Sequence, residues 1–240
     1  MWDFFEDIQC IHIESRTDRY QLVERVKKKI NIPIQYFNVS RHPISGKQGC
    51  YESHVAVIQN ALAKKKKKCL IFEDDLEISH LYRTEKLFEI IHFMQNFDDW
   101  DIFYFGCFPD VWNSRQEWHR GSIHRVKATQ THAYVINEAY MKKISRRKYD
   151  GTPIDEVYVS DARCYAILPS LFRQAKTVSD VSSIEITSIF PKKRFITELV
   201  EWYTIFFGIP LRQILFNILM CVSYYIFILK YKKNGKYSIG

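Results

Sequence analysis

The sequence predicts an α/β domain built on a mainly parallel sheet, and three observations carry that reading. Short unbroken apolar runs alternate with stretches of helical spacing, one run closes on three consecutive carboxylates, and an uncharged apolar segment near the C-terminus stands apart from the rest. Strands that alternate with helices indicate parallel pairing with both sheet faces covered. In such sheets ligands gather at the C-terminal strand ends.

In chain order, residues 9–14 read as a first strand, with Cys10, Ile11 and Ile13 as its apolar positions. Asp18 is placed to cap the helix that follows, in which Leu22, Val23, Val26 and Ile30 recur at helical spacing. Residues 34–37 form a second strand and residues 41–49, with Pro43, Gly46 and Gly49, a loop. A helix starting near Glu52 carries Val55, Ile58, Ala61 and Leu62 on one stripe. The run Cys69-Leu70-Ile71-Phe72 is short and uninterrupted, as a buried strand is. A helix through Leu87, Ile90, Ile91 and Met94 precedes a strand over residues 101–106. Residues 107–124 show no period and read as a loop or flap over a site. Residues 133–136 and 164–168 are further strands, and residues 138–144 a helix.

At 240 residues the chain suits one well-filled α/β domain, residues 1–190, and an appendage, residues 191–240; it is short for two complete domains. The net charge of +8 and a sequence pI near 9.1 fit an anionic partner: a nucleotide, a phospholipid headgroup or a nucleic acid. Much of the charge is clustered, as in the run Lys64-Lys65-Lys66-Lys67-Lys68, which reads as a solvated helix end whose cations suit the macrodipole. Six cysteines without a C-x-x-C pair, with Cys10, Cys69, Cys107 and Cys164 in or beside apolar runs, read as small buried hydrophobes rather than a disulfide framework or a zinc site; a reducing compartment is expected. The acidic start Met1-Trp2-Asp3-Phe4-Phe5-Glu6-Asp7 has no basic-then-apolar signal pattern, so the domain is expected on the cytoplasmic side. Residues 213–229 carry no charge and are bracketed by Arg212 and by Lys230, Lys232 and Lys233. Such a segment predicts a C-terminal apolar helical tail that associates with a membrane, the alternative being a core helix packed on the domain.

The triplet Glu73-Asp74-Asp75 is the most informative feature. Three adjacent carboxylates at a buried strand end repel one another and are costly to desolvate, and a divalent cation offsets that cost. Mg²⁺ and Mn²⁺ take oxygen ligands and commonly share one or two carboxylates with a substrate phosphate. Strand alternation puts Glu73 and Asp75 on one face as the metal pair and Asp74 on the other, where it can orient neighbouring backbone or a sugar hydroxyl. An acidic surface turn is the alternative.

Several segments together resemble glycosyltransferase family 25, the lipopolysaccharide-biosynthesis type that includes the collagen galactosyltransferases. They are Ile13-Glu14-Ser15-Arg16-Thr17-Asp18-Arg19, Gly49-Cys50-Tyr51-Glu52-Ser53-His54, Leu70-Ile71-Phe72-Glu73-Asp74-Asp75, residues 100–106, Thr131-His132-Ala133-Tyr134-Val135-Ile136, Pro153-Ile154-Asp155, and Gln174 with Ser179-Asp180. In this order they cover roughly residues 8–185. The departure lies at the start, where His12-Ile13-Glu14 stands in place of the family's aliphatic-Asn-Leu run. The resemblance implies a GT-A-like single nucleotide-binding domain, a metal-bound nucleotide-sugar and transfer of a hexose, galactose or glucose favoured, from a UDP-sugar. The acceptor it implies is a hydroxyl on a glycan, a glycolipid or a protein.

The residues carry readings of their own beside it. Arg16 and Arg19, after the first strand, suit a nucleotide's phosphates or base, or a surface ion pair. Gly49 permits close backbone approach to a donor, and Ser53 can cap the following helix. His54 contacts the donor sugar, orients the loop, or is a structural histidine. Asp155 binds the acceptor or serves as catalytic base, or caps a helix. Three other classes compete: a metal-dependent phosphotransferase or nuclease, for which no second acidic cluster is visible; a non-enzymatic basic protein that binds membrane or nucleic acid, for which no nucleic-acid motif is recognised; and a degenerate, membrane-attached transferase with a scaffolding role, against which the intact Glu73-Asp74-Asp75 argues.

Overall fold

The computed structural model describes residues 1–110, 117–175, 215 and 218–225. After a short 3₁₀ turn at Trp2–Phe4, the elements run β1 Asp7–Ile13, α1 Thr17–Ile30, β2 Gln35–Val39, α2 Gly46–Ala63, β3 Lys68–Glu73 and β4 Leu76–Ile78. They continue with α3 Thr84–Asn96, β5 Ile102–Pro109, β6 Glu117–Arg120, β7 Ile123–Arg125, β8 Ala128–Asn137, α4 Glu138–Ile144, α5 Ile154–Asp161, β9 Cys164–Ile167 and β10 Phe172–Gln174.

Eight strands form one sheet in the order β2-β1-β3-β8-β5-β9-β7-β6. β2, β1 and β3 are mutually parallel and so are β5 and β9; β8 lies reversed between β3 and β5, and the β6–β7 hairpin closes the far edge. The sheet is therefore mainly parallel in strand direction, but the reversed β8 makes it mixed. Strand β4 pairs instead with β10 in a separate two-stranded ladder.

Alternation sorts the side chains of the central strands into two cores. Cys10, Leu70, Phe72, Phe103, Phe105 and Val135 point to the face covered by α1 and α3. Cys69, Ile71, Ile102, Tyr104, Tyr134 and Ile136 point to the face covered by α2, α4 and α5. Because each strand is buried on both faces it reads as a continuous apolar run. Cys10, Cys69, Cys107 and Cys164 are buried as free thiols, as their apolar surroundings predict.

Several expectations need correction. Helix α1 has Arg16 at its N-cap, which places Asp18 inside the first turn, where it accepts from Arg16 rather than from the helix backbone. Helix α2 begins at Gly46, six residues before the predicted start, because Ser45 caps it by accepting from the Gln48 N–H at 3.2 Å. Ser53 is thus interior to α2 and donates to the Gly49 carbonyl at 2.6 Å; it is not a cap. Within residues 107–124 the described part is not a loop but the end of β5 and the β6–β7 hairpin, which turns at Gly121 with a φ of +56°. Residues 218–225 are helical, with Ile218, Leu219, Met220, Val222, Tyr224 and Tyr225 exposed. The rest of the tail, and Ser179 and Asp180, lie outside the described residues. Among those described, no helix is long and apolar enough to cross a membrane.

At the start of β5, Asp101 takes Arg163 Nε and Nη2 at 2.9 and 2.7 Å and the Arg163 backbone N–H at 2.8 Å, tying β5 to β9. Burial opposes ionisation of Asp101, but these bonds hold its carboxyl below the ordinary value. A carboxyl depressed in the folded state contributes stability that is present above its unfolded pKa and lost as pH falls through the folded one. Asp101→Asn is therefore expected to lower the urea midpoint at neutral pH. The gap to wild type should shrink as pH falls below about 4; a gap independent of pH would show that the ion pair carries none of it.

Candidate active site

Strands β1 and β3 end side by side, and the triplet sits where β3 gives way to a turn. Glu73 is the last strand residue, while Asp74 and Asp75 lie in the β3–β4 turn. The turn is pinned from outside, since the Asp75 carbonyl accepts from the Ala175 N–H at 2.6 Å as the β10–β4 ladder closes. Strand alternation holds between Glu73 and Asp74 and stops there, because the pleat ends at Glu73. Alternation therefore does not set Asp75 on the Glu73 face, contrary to the expectation from sequence; Asp75 shares Arg19 with Asp74.

Asp74 is buried and fully engaged. It accepts from Arg19 Nη1 at 2.7 Å, lies 3.0 Å from His12 Nδ1, and accepts from the Ile13 backbone N–H at 3.2 Å. It thereby locks the end of β1 to the end of β3, the backbone-orienting role open to it from sequence. Arg19, from the first turns of α1, is only 6% exposed and also stands 3.6 Å from Asp75 Oδ2. Of the two arginines expected at a nucleotide, Arg19 binds the triplet and Arg16 pairs with Asp18 at 2.8 Å.

Glu73 turns the other way, toward β8. The β3–β8 register ends at Phe72 opposite Ala133, which brings Thr131 and His132 alongside Glu73. Thr131 Oγ1 donates to Glu73 Oε1 at 2.8 Å, and His54 Nε2 stands 3.5 Å from the same oxygen. His54, 1% exposed on α2, meets the Tyr134 hydroxyl through Nδ1 at 2.9 Å, and Tyr134 in turn meets Tyr158 at 3.1 Å. Both ring nitrogens of His54 are engaged, so its place is beneath the cleft, steadying Glu73. Sequence reasoning gave no role to His12, Thr131, Tyr134 and Tyr158, although the first three stand in the segments compared with family 25. The signal for them was present as polar groups inside otherwise apolar strand and helix runs, which burial forces to find partners.

The two remaining carboxylates are shifted in opposite directions. Burial opposes ionisation of Glu73, yet its bonds with His54 and Thr131 hold it below its ordinary value. Burial, then the Glu73 charge, push Asp75 up to about 7 against the pull of Arg19. Asp75 Oδ1 is moreover buried without a hydrogen-bond partner among the described residues. A buried carboxylate oxygen in the field of a second carboxylate fits a divalent cation. Among the described residues no group of three or more His, Cys, Asp or Glu side chains converges as a cage.

Above this floor lies a cleft of about 400 Å³ lined by Arg41, His42, Gly49, Ser53, Gln130 and Asp155 among others, with Gln174 at its edge. Gly49 is needed by packing on its own helix, because a Cβ there would meet His42 Cβ at 2.6 Å. Asp155, half-buried in the first turn of α5, accepts from the Gln130 backbone N–H at 3.2 Å and from the Glu156 N–H at 3.0 Å. Gln130 reaches it from a left-handed conformation, φ +65°. The fold thus brings every site residue singled out from sequence except Arg16 to one cleft or directly beneath it.

Residues 2–158 match the sequence model of glycosyltransferase family 25 (LPS biosynthesis protein). The chain belongs to glycosyltransferase family 25. As a family 25 member it is a glycosyltransferase, in agreement with the resemblance read from its motifs. No curated protein matches this chain. Among solved structures it is similar to A197 from STIV, with 14% identity over 72% of this chain and 86% of that one and a TM-score of 0.45. A glycosyltransferase involved in glycosylation of the major capsid of PBCV-1 shares 13% identity over 72% and 94% of the two chains, TM-score 0.43. A mutant Drosophila β-1,4-galactosyltransferase 7, in complex with manganese, UDP-Gal and xylobiose, shares 8% identity over 79% and 78%, TM-score 0.42. The assignment to family 25 rests on the match over residues 2–158.

Proposed function

We propose that this family 25 protein is a metal-dependent hexosyltransferase of GT-A type, moving galactose or glucose from a UDP-sugar to a hydroxyl of a glycan, glycolipid or protein acceptor. The observation that supports it is the buried Asp75 Oδ1, without a hydrogen-bond partner among the described residues, in a cleft that Glu73 and Asp155 also line. Glu73 and Asp75 are the residues that would hold Mn²⁺ or Mg²⁺, which when bound would neutralise the charge on the departing diphosphate. Asp74 and Arg19 fix the strand ends on which those carboxylates ride, and Thr131 and His54 fix the Glu73 rotamer. In an inverting transfer the acceptor oxygen bonds to the anomeric carbon as the bond from that carbon to the UDP oxygen breaks. The acceptor's proton passes to Asp155, whose carboxylate the Gln130 N–H orients. Residues 1–190 form the catalytic unit in this reading, and the apolar tail of residues 191–240 attaches it to a membrane.

Calorimetry of UDP binding in Mn²⁺ and in excess EDTA tests the donor half; the expected result is binding that requires the metal, and equal affinity in both overturns it. Asp155→Asn tests the acceptor half. Transfer should fall by about two to four orders of magnitude, the range of general acid–base catalysis, with UDP affinity nearly unchanged. A loss of UDP affinity instead would place Asp155 on the donor side.

A further inference from the structure

The lysine run after α2 does not stand alone in the fold. Lys65, Lys66 and Lys67 share the rim of a concavity of about 500 Å³ with Lys142 and Arg146, which come from α4 and the turn after it. Two segments some 75 residues apart in sequence converge because α2 packs on α4 and because β3 and β8 are antiparallel, with Lys68 opposite Asn137. One carboxylate, Glu138, joins the rim, and it is taken by Lys142 at 2.6 Å. Lys65, Lys67 and Arg146 are exposed and form no ion pair with any described residue. Lys65 is held at a φ of +57°, a conformation that favours Gly or Asn. The carbonyl ends of α2 and α4 attract cations, but one or two suffice for that. Five around a single hollow form a surface with a strong positive field.

We infer that this basic hollow is a docking surface for an anionic lipid membrane, separate from the cleft and independent of the sugar-transfer reading. Charge complementarity is the first argument: cationic side chains near a surface of anionic lipid attract it strongly and additively. The second is the chemistry of the rest of the chain. Residues 218–225 form a helix with Ile218, Leu219, Met220 and Val222 exposed, inside an uncharged stretch. Stable attachment at a lipid surface takes an apolar signal together with a polybasic one, and this chain carries both. A single-stranded nucleic acid would be met by aromatic stacking groups beside the cations, and none of the described residues that line the hollow is aromatic.

The hollow lies at the start of β3 and the triplet at its end. Six extended residues separate them, roughly 20 Å at the usual strand rise. Docked this way, the protein turns its cleft away from the headgroups. An acceptor hydroxyl then approaches from the aqueous side, or on a chain long enough to reach it.

Flotation of the full chain with phosphatidylcholine vesicles, with and without phosphatidylglycerol, tests the inference. The variant Lys65→Gln/Lys67→Gln/Arg146→Gln is compared with Arg25→Gln/Lys28→Gln/Lys29→Gln, which removes equal charge from α1. The wild type should prefer the anionic vesicles. The hollow variant should lose about a hundredfold of that preference, at roughly fivefold per cation, and the α1 variant far less. Binding to neutral vesicles and the melting temperature should be unchanged in both. Equal affinity of the wild type for the two vesicles, or equal losses in the two variants, overturns the inference. So does displacement of the protein from anionic vesicles by duplex RNA in a manner that depends on the same three residues, which would assign the surface to nucleic acid.

Discussion

Replacing Asp75 with asparagine should lower sugar transfer by about a thousandfold, the scale of losing one preorganised charge contact at a reacting centre, while the fold becomes no less stable. The carboxylate is buried, repelled by Glu73 and Asp74, and has one oxygen without a partner. Its nearest cation, Arg19, keeps the shorter bond to Asp74 in the variant. Removing the charge thus relieves repulsion and forfeits little. A residue kept for packing behaves the opposite way, losing stability and activity together. Melting temperature and turnover measured on the same preparation decide it: a melting temperature several degrees below wild type would mean that Asp75 is structural. UDP affinity in the variant should no longer respond to Mn²⁺ or EDTA.

The largest loss of stability is expected at Arg19. Arg19→Met leaves Asp74 buried with its main counter-charge gone, and breaking one side of a buried pair costs about 3–5 kcal/mol. Asp74 keeps His12 and the Ile13 N–H, which places the expected value toward the lower end. The second substitution Asp74→Leu should return much of the loss, because an apolar pair of similar volume carries no unpaired charge. Chemical denaturation of the two variants reads both values. A single variant within about 0.5 kcal/mol of wild type, the scatter of ordinary surface changes, would show that Arg19 does not stabilise the triplet.

The alternation of strands and helices was legible because buried strands and amphipathic helices differ in period, and α4 over residues 138–144 is found where its spacing placed it. Strand direction was not legible. A strand apolar on both faces reads the same whichever way it runs, so nothing in Ala133-Tyr134-Val135-Ile136 announced that β8 is reversed. Gly46 and Gly49 read as loop residues, yet a capped first turn and tight packing on His42 hold both in α2. The short strands β4, β6, β7 and β10 are too brief for any period to show. At the site the triplet was found from charge alone. Its division of labour was not, because the turn after Glu73 abolishes the alternation on which the assignment of Asp75 rested. Arg19 and His54 were correctly brought into the neighbourhood, and only the fold shows that both face the carboxylates from below.

The reversed β8 has a consequence for how the chain comes into being. Asp74 finds its partners 55 to 62 residues upstream, already synthesised when β3 is made. Glu73 must wait for Thr131, 58 residues downstream. Until β8 inserts between β3 and β5, both strands expose an unpaired edge along apolar sequence, the template on which chains join one another. Contacts so distant in sequence close slowly. A fragment ending before residue 128 would keep the parallel trio β2, β1 and β3 together with that open edge, and the cleft would lack one of its walls.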